Sequence, residues 1–115
     1  MFIVVDIGGT KTRVARSSDL ESIDEPLIIE TSHSYEQGVS TIAETVKRLC
    51  GNERVEGISV GITGTISSDH KIPLTTPHLP AWRGRPFARE LEVALSTNVW
   101  LINDTAQVEI GRAHV

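Results

Sequence analysis

Phe2-Ile3-Val4-Val5-Asp6-Ile7-Gly8-Gly9-Thr10-Lys11-Thr12-Arg13-Val14-Ala15-Arg16 decides the fold. An apolar, β-branched run meets a glycine pair, and an extended pattern resumes after it, which reads as strand, glycine turn, strand. Gly8 and Gly9 permit φ > 0 and carry no Cβ, so their backbone amides can approach a ligand closely. A turn of this kind is a nest for phosphate oxygens. Thr10 and Thr12 add hydroxyl donors, and Lys11 and Arg13 add positive charge. Asp6 ends an apolar strand, where it packs badly but can hold Mg²⁺ through water. The competing reading is an ordinary hairpin with a Gly-Gly turn. Asp6 and the Thr-Lys-Thr tail weigh towards phosphate. Two familiar phosphate loops are excluded: Lys11 follows Thr10 rather than glycine, and the segment runs into a strand where both the P-loop and the dinucleotide fingerprint require a helix.

The remaining composition sets the limits. A length of 115 residues allows one domain. Hydrophobic content of 39% and charged content of 23% are those of a globular protein. The formal net charge of −4, without a basic run, argues against nucleic acid as a partner. A single cysteine, Cys50, excludes an internal disulfide and a cysteine-cluster metal site within these residues. No stretch approaches the length of a membrane span, and Phe2 to Val5 is too short for a signal-peptide core. A cytoplasmic location and no membrane partner are therefore expected.

Outward from the glycine turn, the pattern predicts Phe2 to Ile7 as a strand covered on both faces. Thr12 to Ser17 pairs back on it, and Leu27 to Thr31 follows after a polar turn, making a meander. Tyr35 to Cys50 changes period, with Val39, Ile42, Ala43, Val46, Leu49 and Cys50 on one helical face and Gly51 as the stop. Cys50 is most simply the small apolar end of that stripe. Val55 to Ile62 is a fourth strand, running into a second glycine turn, Gly61-Ile62-Thr63-Gly64-Thr65. Ser67 to Arg85 is a long polar loop containing Thr75-Thr76-Pro77-His78-Leu79-Pro80-Ala81-Trp82, with Trp82 as its packing anchor. Loops of this length in a compact domain are usually functional or ordered by a partner. His78 reads either as a surface histidine or as a ligand contact. Pro86 opens a second helix whose stripe is Phe87, Leu91, Ala94 and Leu95. Val99 to Ile102 is the fifth strand, ending in Asn103-Asp104. Three strands thus end in glycine turns or carboxylates, and ligands of open α/β sheets gather beyond the carboxyl ends of strands.

The order β-β-β-α-β-α-β resembles the α/β, ribonuclease-H-like lobe of the actin/hexokinase superfamily, here with a five-stranded mixed sheet. Asp-Ile-Gly-Gly-Thr-Lys at the start, Gly-x-x-Gly-Thr-Ile in the middle, Leu-Pro-Ala-Trp later and Asn-Asp after the last strand together resemble the ROK family of sugar kinases and regulators. The resemblance covers residues 1 to 109, one N-terminal lobe. It implies ATP-dependent phosphorylation of a hexose or N-acylhexosamine, with ATP and Mg²⁺ as cofactors. By the same resemblance Asp6 is the Mg²⁺-associated carboxylate, acting through water. Gly8, Gly9, Thr10 and Lys11 form the first phosphate loop, with Arg13 beside it. Gly64 and Thr65 line the sugar, Thr76 and His78 lie on the loop passing the ring, and Asn103 and Asp104 hydrogen-bond the hexose, Asp104 being the catalytic base. Two departures bear on sugar specificity: Thr63 stands where the family often has Pro, and His78 where it often has Asn.

The resemblance also implies that these residues are half of a kinase. The second lobe would carry the adenosine site, further sugar ligands and any zinc site, and the full-length protein would be a homodimer. Residues 110–115, Ile-Gly-Arg-Ala-His-Val, match a reading frame of a sequencing-library adapter and are expected to be a non-native tail. The alternatives are a sugar-sensing ROK-type transcriptional regulator and another ATPase of the actin superfamily. Met1 stands directly before the first strand with no basic helical segment, which weighs against the regulator. The Leu79 to Trp82 pattern weighs against the other ATPases.

Overall fold

A computed structural model gives the architecture, and its description covers residues 1–19 and 22–103. Strands β1 (Phe2–Ile7), β2 (Lys11–Ser17) and β3 (Leu27–Glu30) are followed by helix α1 (Tyr35–Cys50), strand β4 (Gly57–Ile62), a single 3₁₀ turn (Pro80–Trp82), helix α2 (Phe87–Leu95) and strand β5 (Val99–Asn103). The sheet order is β3-β2-β1-β4-β5. β1 to β3 are an antiparallel meander, and β4 and β5 add in parallel to β1 through the two helical crossovers. This is the ribonuclease-H-like element order expected from the sequence.

Side-chain alternation sorts the sheet. Ile3, Val5 and Ile7 of β1, Ile58, Val60 and Ile62 of β4, and Val99 and Leu101 of β5 enter one core with α1 and α2. Asp6 therefore lies on the opposite face, in register between Arg13 and Gly61. α1 packs against β2, α2 against β5, and the helices against each other.

The helix ends follow from local chemistry. The Ser34 side chain accepts from the Gln37 amide, Glu36 sits in the first turn and Lys47 and Arg48 in the last. Those charges match the partial charges of the helix termini. Gly51 ends the helix at φ 56° and donates to the Lys47 carbonyl. Cys50 is buried at the end of the stripe, and burial raises its thiol pKa, which suits packing rather than reactivity. Thr45 joins the buried face because its hydroxyl bonds back to the Thr41 carbonyl at 2.8 Å. In α2 the expected stripe holds at Phe87 and Leu91, which are buried, and at Leu95, which packs half-buried on the core; Ala88 joins it, whereas Ala94 is exposed. Pro86 caps that helix rather than occupying its first turn.

The polar segment 67–85 is built rather than loose. Ile66 bridges Pro73, and the residues between fold over the outer edge of β5. The Leu101 amide donates to the His70 carbonyl at 2.8 Å, and His70 Nδ1 meets the Leu101 carbonyl at 2.9 Å. Lys71 Nζ donates to the Val99 carbonyl and to Glu92, and Glu92 in turn accepts the Val99 amide. The edge of β5 is thereby closed without another strand, which protects it from pairing with other chains.

Candidate active site

Because β1, β4 and β5 are mutually parallel, Ile7, Ile62 and Asn103 lie on one rim. A groove there is lined by Ile7, Gly8, Gly9, Ile62, Thr63, Thr76, His78 and Leu79. Residues far apart in the chain meet in it because the strand ends deliver two turns and the 67–85 segment delivers the third wall.

The first turn closes when the Gly8 amide donates to the Lys11 carbonyl at 2.9 Å. Gly8 and Gly9 do not use positive φ, contrary to the conformational expectation; among the described residues only Gly51, Gly64 and Gly84 do so as glycines. Space is the reason for glycine here. A Cβ on Gly8 would stand 2.9 Å from the Lys11 carbonyl oxygen, and one on Gly9 would stand 3.0 Å from the His78 Cβ. The Gly9 and Thr10 amides form no hydrogen bond among the described residues. Thr10 and Lys11 are exposed. The Thr12 hydroxyl, expected as a donor to phosphate, is buried and bonded to Thr31 Oγ1 at 2.7 Å. Asp6, with a side chain one-third exposed, has its carboxylate 3.8 Å from Arg13 Nη1.

The second turn is tied to the 67–85 segment. Gly64 adopts φ 120° with the Thr75 carbonyl oxygen only 2.0 Å from where a Cβ would sit. The Thr65 amide donates to Thr75 Oγ1 at 2.8 Å, and the two hydroxyls meet at 2.9 Å. Asn103 Nδ2 donates to the Gly64 carbonyl at 3.0 Å, joining the end of β5 to this turn. Thr76 is buried, and its hydroxyl donates to the Leu79 carbonyl at 2.7 Å, shaping the bend that presents His78. Asp104, the expected base, lies outside the described residues, as does the 110–115 tail.

An aromatic staple holds the third wall. Trp82 is fully buried, edge-on to Tyr35 with ring centroids 5.8 Å apart, and 5.2 Å from Phe87. Its Nε1 donates to the Ser32 carbonyl. The ring occupies the place of a side chain on α1: a Cβ on Gly38 would be 2.3 Å from Trp82 Cζ2. Gly38 and Thr75 escaped the sequence reading. A glycine inside a strongly amphipathic helix is a usable signal for close packing, whereas nothing marks Thr75 apart from Thr76. Among the described residues no group of three or more His, Cys, Asp or Glu side chains could hold a metal, and no helix is long and apolar enough to cross a membrane. The element order and sheet topology that build this rim are those of a lobe of the actin/hexokinase type.

The chain belongs to the ROK family, whose model matches residues 2–114. It is 32% identical over 106 residues to an N-acetyl-D-glucosamine kinase of Vibrio parahaemolyticus, covering 90% of this chain and 35% of that kinase. Among solved structures it superposes on a ROK family glucokinase from Streptomyces griseus, in complex with glucose and AMPPNP, with a TM-score of 0.81 and 26% identity, covering 90% of this chain and 33% of that one. A ROK hexokinase from Thermus thermophilus gives a TM-score of 0.78 at 25% identity, covering 90% of this chain and 35% of that one. The chain thus spans about a third of the length of these relatives.

Proposed function

We propose that the protein is an ATP-dependent kinase for a hydroxyl of a hexose or N-acylhexosamine, and that this chain is its N-terminal lobe. The observation that carries the reading is the common rim: the Gly8-Gly9 turn, the Thr75-braced Gly64 turn and Asn103 stand at the carboxyl ends of three parallel strands. Membership of the ROK family and the sugar kinases among its relatives support the same class.

A sugar hydroxyl attacks phosphorus well only when its proton has somewhere to go. A carboxylate placed directly after a rigid strand can accept it late in a loose transition state. Asp104 has that position in the sequence, one residue past β5. Asn103 donates to the Gly64 carbonyl, and a carboxamide, donor and acceptor at once, suits vicinal sugar hydroxyls. The Gly9 and Thr10 amides and the Lys11 ammonium bind phosphate oxygens and offset their charge. Asp6 fits Mg²⁺, which takes few carboxylates and keeps much of its water. The Asp6 carboxylate stands in the strand leading into the turn, near Arg13, and the ion would neutralise phosphate charge there.

In the complete protein, Asp104→Asn is expected to abolish phosphorylation of N-acetylglucosamine or glucose, while equilibrium binding of the sugar stays within a few-fold of wild type. Normal turnover of this variant, read by coupled ADP release, removes the base assignment.

A further inference from the structure

His78 was grouped above with the sugar contacts, but its packing links it to the other ligand. Its Cβ lies 3.0 Å, and its Cγ 3.4 Å, from the position a Gly9 Cβ would take, so the side chain rests on the bare backbone of the glycine turn. The imidazole is exposed, lines the groove with Gly8, Gly9 and Thr63, and forms no hydrogen bond among the described residues. The neighbouring Gly9 and Thr10 amides likewise form no hydrogen bond among the described residues. By contrast, the polar groups on the Gly64 side are tied together through Thr65, Thr75 and Asn103.

We infer that His78 is a phosphate contact: its ring donates an N–H to the oxygen of a phosphoryl group seated on the Gly9 and Thr10 amides, and it does not contact the sugar. The inference rests on the kinase reading for the identity of the two ligands and deepens it by moving one residue between them. The physical argument is supply of donors. Two amides at a turn leave oxygens of a tetrahedral anion unsatisfied, and an imidazole against the same turn can bond one of them in either protonation state. The bend held by Thr76 and Leu79 keeps the ring at that distance. Glycine at position 9 is then required twice, for the amide's approach to the anion and for the ring's approach to the turn.

The test uses the whole chain, with tripolyphosphate as the anion probe and N-acetylglucosamine and glucose as sugar probes. Ring proton and nitrogen resonances of His78 are assigned by comparison with His78→Asn and followed during each titration. The expected result is a shift of the His78 ring with tripolyphosphate, little shift with either sugar, and roughly tenfold weaker anion binding in His78→Asn with sugar binding within twofold. Unchanged far-ultraviolet dichroism and Trp indole resonances in the variant establish that it is folded, as befits an exposed side chain. A ring that shifts with sugar, or anion binding indifferent to His78→Asn, overturns the inference and leaves the kinase reading in place. Failure of the wild-type chain to bind tripolyphosphate overturns the inference, and absence of sugar-dependent ADP release by the complete protein overturns the kinase reading.

Discussion

Gly64 carries the strictest demand of any residue at the rim. Its φ of 120° is closed to ordinary L-residues, and a Cβ would collide with the Thr75 backbone at 2.0 Å. Backbone atoms cannot rotate aside as the end of a side chain can. Gly64→Ala is therefore expected to cost about 2–4 kcal/mol, from strain and overpacking together. Gly51 is the internal control: it too has positive φ, at 56°, yet nothing lies within 4 Å of its missing Cβ. Gly51→Ala should cost the backbone strain alone, about 1–3 kcal/mol, and less than Gly64→Ala. Urea denaturation of both variants checks the ranking, and a Gly64→Ala chain as stable as Gly51→Ala would show that the Thr65–Thr75 brace yields. At this scale the glycines of the two rim turns were legible from residue type alone. Thr12 was not: hydroxyls look alike in sequence, and only the register that sets Thr12 opposite Ile29, next to Thr31, shows its partner to be protein.

Helix α1 reaches the site through Trp82. Gly38 lies in the first turn, and a glycine within a helix ordinarily weakens it by up to about 1 kcal/mol relative to alanine. Gly38→Ala would therefore stabilise an unencumbered helix, but here the added methyl meets the Trp82 ring at 2.3 Å and 2.8 Å. The expected outcome is a net loss of about 1–3 kcal/mol, largely recovered when Trp82→Phe is added to make room. The coupling between the two substitutions, measured in a denaturant double-mutant cycle, would be absent if the ring were free to move. The clamp on β5 gives a second handle. Burial alone would raise the Glu92 carboxyl, but the Lys71 hydrogen bond, the Val99 amide and the charges of Lys71 and Arg89 together hold it below its ordinary value. A depressed folded-state pKa means stability that is present above the unfolded value of about 4.5. That contribution is lost as pH falls through the lower folded value. Urea midpoints measured from pH 7 to pH 3 should fall less steeply in Glu92→Gln than in wild type, and parallel curves would show that the Lys71–Glu92 pair adds nothing. The elements themselves were legible because each helix and strand has its own hydrophobic period. α1 was read to its ends from the change of period at Tyr35 and from the Gly51 stop; the Ser34 cap emerged only in the structure. The β5 clamp was hidden because His70 and Lys71 find Leu101 and Val99 across some thirty residues, and polar residues carry no period that announces such pairing.

At the scale of the molecule, the rim that supports the kinase reading also bounds what these residues are expected to supply. The groove between the glycine turn, Thr63 and His78 opens outward, and the chain spans 35% of the Vibrio kinase it resembles and 33% of the Streptomyces glucokinase. Phosphoryl transfer depends almost wholly on positioning and on exclusion of water around the transferred group. One wall is expected to bind an anion or a sugar edge weakly, without holding both reactants in line. We therefore expect the 115 residues alone to show no more than trace kinase activity, even with the fold intact and with millimolar ATP, Mg²⁺ and sugar. The measurement is coupled ADP release from the purified chain with glucose and N-acetylglucosamine, alongside the complete protein under the same conditions. Turnover by the complete protein and none by the chain is the predicted pair. Robust turnover by the chain would mean that the rim described here closes around its substrates without a second lobe, and the division of labour proposed for the two halves would have to be abandoned.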